Sequence, residues 1–406
     1  MPSPLRSLRS RNFRLFYLGQ GASLLGMWVQ MVAQSWLMFR LTDSAAAVAL
    51  VTVAQQGPGF FIGPFAGALA DRLPKRRMLV LAQSATAVPT FVLAAITLAG
   101  AVLAWHVIVL ALCMGIARAF EMPARQAFIP ALVPRDDLSN AIGLNSILFN
   151  LARLAGPAAG GAMIAFAGEG WCFLANGLSY LCVIAALLRI DVDDAPSRAR
   201  GDTTILAEVR EGLAYVASQP LLWALLGVLA TASLAGMPYT VLLPSFAERV
   251  LGAGPEIYGL LTSAVGVGAM LSAVVLAMRR GPEGLSRWVV LCAVTFGLAL
   301  VAFSQATTLA TAVPSLALIG ASFMFANTGV NTLLQLAAPD ALRGRVMSLH
   351  STLFLGILPL GALIAGPFAD RVGEAPVLFV GGALVVAGAL GFGSILLRSV
   401  RVAELP

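Results

Sequence analysis

Lysine occurs once in this sequence, at Lys75, histidine twice and cysteine four times, and charged residues are only 11% of the 406 positions. An ordinary soluble domain carries about 25% charged residues. The 26 basic and 19 acidic side chains cannot coat one or two water-soluble domains of this length, and a charged, disordered chain is excluded as well. The cysteines, Cys113, Cys172, Cys182 and Cys292, form no CxxC pair and lie in or beside apolar runs. The histidines, His106 and His350, are far apart, so neither a metal site nor a disulfide framework is expected, and no cofactor is implied. There is no Walker A cradle, no HExxH, no GxSxG and no acid pair inside an apolar run, which leaves no basis for ATP drive or hydrolytic chemistry.

Apolar sequence fills the space. Hydrophobic residues make up 59% of the chain, and a bilayer crossing takes about 20 of them in a row. Twelve such stretches can be marked, near residues 15–39, 46–70, 78–99, 104–122, 138–167, 171–190, 221–247, 257–278, 288–304, 309–336, 346–369 and 375–397. The first follows Arg6, Arg9, Arg11 and Arg14, yet it is too long for a signal peptide and lacks a small-residue cleavage site, so it is expected to be retained. The net charge of +7 does not indicate nucleic-acid binding, because the arginines sit at the ends of apolar runs and not on a solvated face. With an inside N-terminus, 21 Lys and Arg residues fall in inside turns and three (Arg40, Arg249, Arg371) outside, leaving Arg118 and Arg153 within spans. That asymmetry places both termini on the cytoplasmic side.

The spans divide into 1–190 and 220–406. Between them, 191–219 contains a stretch in which Ile205, Val209, Leu213 and Val216 recur at helical spacing, so an amphipathic helix is expected there. A shift of 205 residues aligns Pro134–Phe149 with Pro339–Phe354, at the same place in each half. The expected architecture is therefore an all-α integral membrane protein, twelve transmembrane helices in two pseudo-symmetric six-helix bundles.

Four groups of residues stand out. After the second span, Gly67–Arg77 reads GALADRLPKRR, with a carboxylate at Asp71 followed by Arg72, Lys75, Arg76 and Arg77. A carboxylate at a helix end near a helix N-terminus or an arginine makes a breakable latch, and Arg125 is the preferred partner. In the fifth span, Gly156, Pro157, Gly160 and Gly161 combine close-packing positions with a lost backbone donor. Arg153, near mid-bilayer, either attracts an anionic substrate or responds to proton movement, or else bonds to carbonyls of a broken helix. Arg118 and Glu121 share a helix face with Arg125 and form either a proton relay or a fixed ion cluster. Finally, Gln20, Ser23, Met27, Gln30 and Gln34 share one face of the first span, and Asn327, Asn331 and Gln335 one face of the tenth. Amides facing lipid would go unpaired, so these stripes line a substrate path or bond helix to helix.

Gly67–Arg77 resembles the loop signature of the major facilitator superfamily, departing from it at Pro74 where glycine is usual. Gly156, Pro157, Gly160 and Gly161 match the core of what that superfamily calls the antiporter motif. The stretches RNFRLFYLGQ, EMPARQAFIPALVP, NSILFNLARLAGP and APDALRGRVMSL resemble the enterobactin exporter-like branch, the transmembrane secretion effectors, with macrolide efflux proteins as neighbours. The resemblance implies a monomeric bacterial inner-membrane secondary transporter in which Asp71 and the basic residues lock the cytoplasmic side. It also implies proton-coupled export of a small amphipathic molecule, a siderophore or drug, by alternating access. A non-transporting membrane scaffold or sensor, an uptake system and a lipid flippase remain as alternatives.

Overall fold

A backbone in hydrocarbon must satisfy its N–H and C=O groups within its own segment, which is why long apolar stretches become helices. The computed structural model describes residues 5–192, 205–279 and 281–403, and among these the regular structure is helical throughout. Six helices precede residue 190: α1 (Arg11–Thr42), α2 (Ala45–Arg72), α3 (Lys75–Leu98), α4 (Ala104–Phe128), α5 (Leu138–Ala167) and α6 (Glu169–Arg189). A shorter helix, α7 (Ile205–Ser218), coincides with the expected amphipathic segment. The seventh span is interrupted. Its helices α8 (Pro220–Thr231) and α9 (Tyr239–Ser245) are separated by a π-helical turn at Ala232–Gly236, and a second such turn follows at Phe246–Val250. Next come α10 (Pro255–Ala277), α11 (Leu285–Ser304) and α12 (Leu309–Ala337). The eleventh span comprises α13 (Asp340–Ser351), a π-helical turn at Thr352–Gly356 and α14 (Leu358–Val372), and the twelfth is α15 (Glu374–Ala403).

Among the described residues, eleven helical segments are long and apolar enough to cross a membrane. The remaining span, the 32-residue α1, is amply long, and Gln20, Gln30 and Gln34 dilute its hydropathy. Large apolar side chains lie on the outside of the spans, Phe166 92% and Phe61 72% exposed. Apolar exposure of this extent fits a surface facing lipid.

The chain forms two compact units. Unit 1 holds Met1–Asp43, Ala54–Gly201 and Gly254–Ser263; unit 2 holds Ser44–Val53, Asp202–Ala253 and Ala264–Pro406. The head of α2 thus belongs to unit 2 and its remainder to unit 1, while the first turns of α10 belong to unit 1. In unit 1, α1 packs on α5 and α6, and α3 on α4 and α6. Phe13, Phe16, Phe128 and Leu187 fill one end of that unit. In unit 2, α11 packs on α12 and α15, and α8 on α15. Helix α7 joins this unit through buried Val216 and an ion pair from Glu211 to Arg345 at 2.5 Å.

The internal repeat is visible in backbone and charge together. Gly168 and Gly373, 205 residues apart, hold φ of 89° and 88°, a left-handed conformation that a β-carbon would strain. Each starts a helix whose first residue is a buried glutamate, Glu169 or Glu374. Arg40, near the end of α1, pairs with Glu169 at 2.8 Å, and Arg249, near the end of the seventh span, pairs with Glu374 at 3.1 Å.

Candidate functional site

The polar face of α1 is turned into unit 1, where Gln20, Ser23, Gln30 and Gln34 are all buried. Buried amides need partners. Gln30 Oε1 accepts from Asn176 Nδ2 at 2.5 Å, and Gln30 Nε2 donates to Met114 Sδ at 3.0 Å. Gln34 Oε1 accepts from Gln55 Nε2 at 2.6 Å, and Gln34 Nε2 reaches the Val107 carbonyl at 3.4 Å. These bonds join α1 to α2, α4 and α6. Beside them lies a small cleft of about 10 Å³, room for about one water, lined by Met27, Gln30, Met31, Gln55, Thr86, Met114, Arg118, Asn176 and Tyr180.

Arg118 supplies the charge of this cleft. It stands 14 residues into the 25-residue α4, about 21 Å along the helix at 1.5 Å per residue. Its Nη2 donates to Met27 Sδ. The acid one turn further on, Glu121, faces Arg125 at 3.6 Å instead. Of these three residues, Glu121 and Arg125 form an ion pair, and Arg118 lines the cleft.

Helix α5 presents its small residues in two directions. A β-carbon at Gly156 would strike Trp28, and one at Gly160 would come within 3.1 Å of the Val29 Cα, so these two positions set the contact with α1. Gly161 faces the head of α10: a β-carbon there would meet the Pro255 carbonyl and lie 3.0 Å from the Gly259 Cα. The match is reciprocal, since a β-carbon at Gly259 would meet the Pro157 carbonyl. The Ala158 N–H donates to Ser263 Oγ at 2.9 Å, adding a hydrogen bond to this glycine contact.

Unit 2 contains a polar contact of another kind. Asp370, near the end of α14, caps α2: its carboxylate accepts from the Ala45 N–H at 2.7 Å, the Ala46 N–H at 3.0 Å and Ser44 Oγ at 2.6 Å. Ser44 Oγ in turn accepts from the Ala47 N–H at 3.2 Å. An aspartate supplied by the eleventh span thus satisfies the orphan donors that begin the second. Arg249 lies 3.9 Å from Asp370 and closer to Glu374. The repeat stops short here, because the position 205 residues earlier is Ala165.

The other sequence-derived residues are distributed as follows. The surroundings of Gly67 and the side chains of Asp71 and Arg72 lie outside what the structure describes. Lys75 opens α3, and Arg76 donates to the Leu188 carbonyl at 2.9 Å, at the end of α6. Arg153 is half-buried on α5 and is not among the residues lining the cleft. Gln20 is buried on α1 but likewise outside the lining. Asn327 and Asn331 are on α12 in unit 2; Asn331 Oδ1 accepts from Gln335 Nε2 at 2.6 Å, and the buried Asn327 Oδ1 has no hydrogen-bond partner among the described residues. Sequence reasoning missed Met31, Gln55, Thr86, Met114, Asn176 and Tyr180. Asn176 gave the clearest available signal, an isolated amide in the apolar run of the sixth span.

Comparison with known proteins identifies the family. The family model described as "Transmembrane secretion effector" matches residues 2–405. The Staphyloferrin A transporter of Staphylococcus aureus is 26% identical over 89% of this chain and 90% of its own. The multidrug efflux pump Tap of Mycolicibacterium fortuitum is 29% identical over 86% and 87%. Among solved structures, the nucleoside transporter NupG aligns with a TM-score of 0.75 at 12% identity, covering 95% of this chain and 99% of that one, which shows a shared fold. Twelve apolar spans in a repeated arrangement, and a family model that runs over nearly the whole length, establish that the chain belongs to the transmembrane secretion effectors, transporters of the major facilitator superfamily.

Proposed function

We propose that the chain is a secondary active exporter that moves a small amphipathic organic molecule, a siderophore or a drug, out of the cytoplasm in exchange for protons. The observation that carries this reading is the cleft around Arg118, where a cation and an amide network lie at mid-helix depth in an otherwise apolar bundle. Polar and ionisable groups at such depth are expensive and mark substrate or ion pathways. The names of the relatives, a staphyloferrin A transporter and a multidrug efflux pump, support the class of cargo, and the second supports the direction.

In this reading the bundles 1–190 and 220–406, joined by 191–219, alternate between two arrangements, with both termini on the cytoplasmic side of a bacterial inner membrane. The Gly161–Gly259 contact and the Asp370 cap on α2 are made in one arrangement and parted in the other. Asp71, with Arg72, Lys75, Arg76 and Arg125, locks the opposite side in turn. Glu121, one turn from Arg118, is the acid we assign to proton exchange.

The test is flux. Purified protein in liposomes should accumulate an amphipathic fluorescent dye when a pH gradient is imposed, and a protonophore should abolish the accumulation. Accumulation that requires ATP and ignores the gradient would overturn the proposal.

A further inference from the structure

Three helix ends meet at one corner of unit 1. Helix α6 lies between α1 and α3: β-carbons at Gly170 and Gly177 would strike Leu98 and Phe91 of α3, and β-carbons at Gly19 and Gly26 of α1 would meet Ala186 and Asn176 of α6. Hydrogen bonds tie the ends together. Arg76 Nη2, at the start of α3, donates to the Leu188 carbonyl of α6 at 2.9 Å. Asn12, at the start of α1, brackets Asp191 just past α6: its Nδ2 donates to the Asp191 carbonyl at 2.7 Å, and its Oδ1 accepts from the Asp191 N–H at 3.3 Å. Arg11, Arg14, Arg77 and Arg189 are thereby gathered at this corner. All four are exposed, and among the described residues none is in an ion pair. The one carboxylate among the described residues at these three ends is Asp191.

Membrane topology alone gathers arginines at helix ends, but here their register with the apolar residues goes further. At 100° per residue, Arg11, Arg14, Leu18 and Leu25 span about 60° of α1, and Arg77, Leu81, Val88 and Val92 span about 60° of α3. Leu178, Leu181 and Arg189 span about 80° of α6, between the side turned to α1 and the side turned to α3. Every apolar residue in these arcs is exposed. The positions that touch α6 lie about a quarter turn from the arc on α1 and on α3, in opposite senses. Those two helices start at the same corner and flank α6 from opposite sides, so the three arcs open on one outer face. We propose that this face is a binding site for an anionic phospholipid, its phosphodiester on Arg14, Arg77 and Arg189 and its acyl chains along Leu18, Leu81 and Leu178. A guanidinium fork matches phosphate oxygens, and basic clusters at span ends attract anionic headgroups. From Arg14 to Leu18, and from Arg77 to Leu81, the helix rises about 6 Å, the step from headgroup to hydrocarbon. That apolar continuation selects a lipid over a soluble anion, because a headgroup alone gains nothing from the leucines. A choline headgroup brings a cation toward the arginines and is disfavoured.

The experiment titrates full-length protein in detergent with phosphatidylglycerol or phosphatidylcholine of identical acyl chains and counts bound lipids by native mass spectrometry. The first lipid bound should be phosphatidylglycerol, with an affinity about ten-fold higher than for phosphatidylcholine. Arg14→Gln, Arg77→Gln and Arg189→Gln together should bring that ratio to about one. A control variant carrying Arg135→Gln, Arg287→Gln and Arg398→Gln loses the same charge from three other exposed arginines and should keep the preference. Glycerophosphoglycerol, the headgroup without its chains, should not displace the lipid at equal concentration. Equal affinities in the wild type, a preference that survives in the first variant or vanishes equally in the control, or displacement by the free headgroup would overturn the proposal. The first and last of these outcomes need only the wild-type protein, and none of them depends on flux.

Discussion

Replacing Asp370 with alanine removes the carboxylate that caps α2, and the consequence can be worked out bond by bond. The Ala45 and Ala46 N–H groups lose their acceptor, and so does the Ser44 hydroxyl. The Ala47 N–H keeps Ser44 Oγ, so part of the cap survives. Loss of an N-cap side chain costs about 0.5–2 kcal/mol, and loss of a charge at a helix N-terminus about 0.3–1 kcal/mol. With the surviving bond allowed for, about 1–2 kcal/mol is expected here. Arg249 does not add to this, since it remains paired with Glu374 at 3.1 Å. At tenfold per 1.4 kcal/mol, amide exchange in a peptide covering residues 43–50 should speed up by roughly 5–30-fold in Asp370→Ala. Asp370→Asn, which keeps an acceptor oxygen but not the charge, should fall between. Hydrogen exchange followed by mass spectrometry reads this directly. Unchanged exchange across 43–50 in the alanine variant would refute the assignment of Asp370 as the cap of α2.

Three further outcomes follow from the same geometry. Gly161→Ala places a methyl group against the Pro255 carbonyl, and overpacking against backbone costs about 1–3 kcal/mol, so substrate flux should fall at equal membrane abundance; full flux would show that this contact tolerates separation. Gln30→Leu leaves the Asn176 amide without its acceptor in a buried position, a loss of about 1–3 kcal/mol that should lower the thermal midpoint of the purified protein, and an unchanged midpoint would contradict the network. Asp71→Asn should reduce efflux while the protein still reaches the membrane, and undiminished efflux would remove Asp71 from the lock.

The fold was largely legible because a membrane imposes length on every apolar run and sorts arginines by side. Span five, marked at 138–167, coincides with α5 (Leu138–Ala167). The interruptions were not legible: the π-helical turns at Ala232–Gly236 and Thr352–Gly356 lie inside continuously apolar sequence and reflect packing against neighbours, which periodicity does not record. The candidate site was half legible. Gln30, Gln34 and Arg118 declared themselves as polar residues where lipid forbids them, and α1 does turn its amides inward. Their partners did not, because a methionine in an apolar run gives no polar signal and Gln55 depends on how α2 is rotated. Asp370 looked like the end of a span, and its capping role depends on two segments 324–326 residues apart coming together.

The claim at the centre of this account is that the cleft in unit 1 opens to the two faces of the membrane in alternation. A single cysteine at Met31, in a chain freed of its four native cysteines, can be labelled in sealed vesicles with a membrane-impermeant maleimide applied from either side. The account expects labelling from each side, with Asp370→Ala shifting reactivity toward the face on which the α2 cap lies. Labelling from one side alone, unmoved by that substitution, would contradict it.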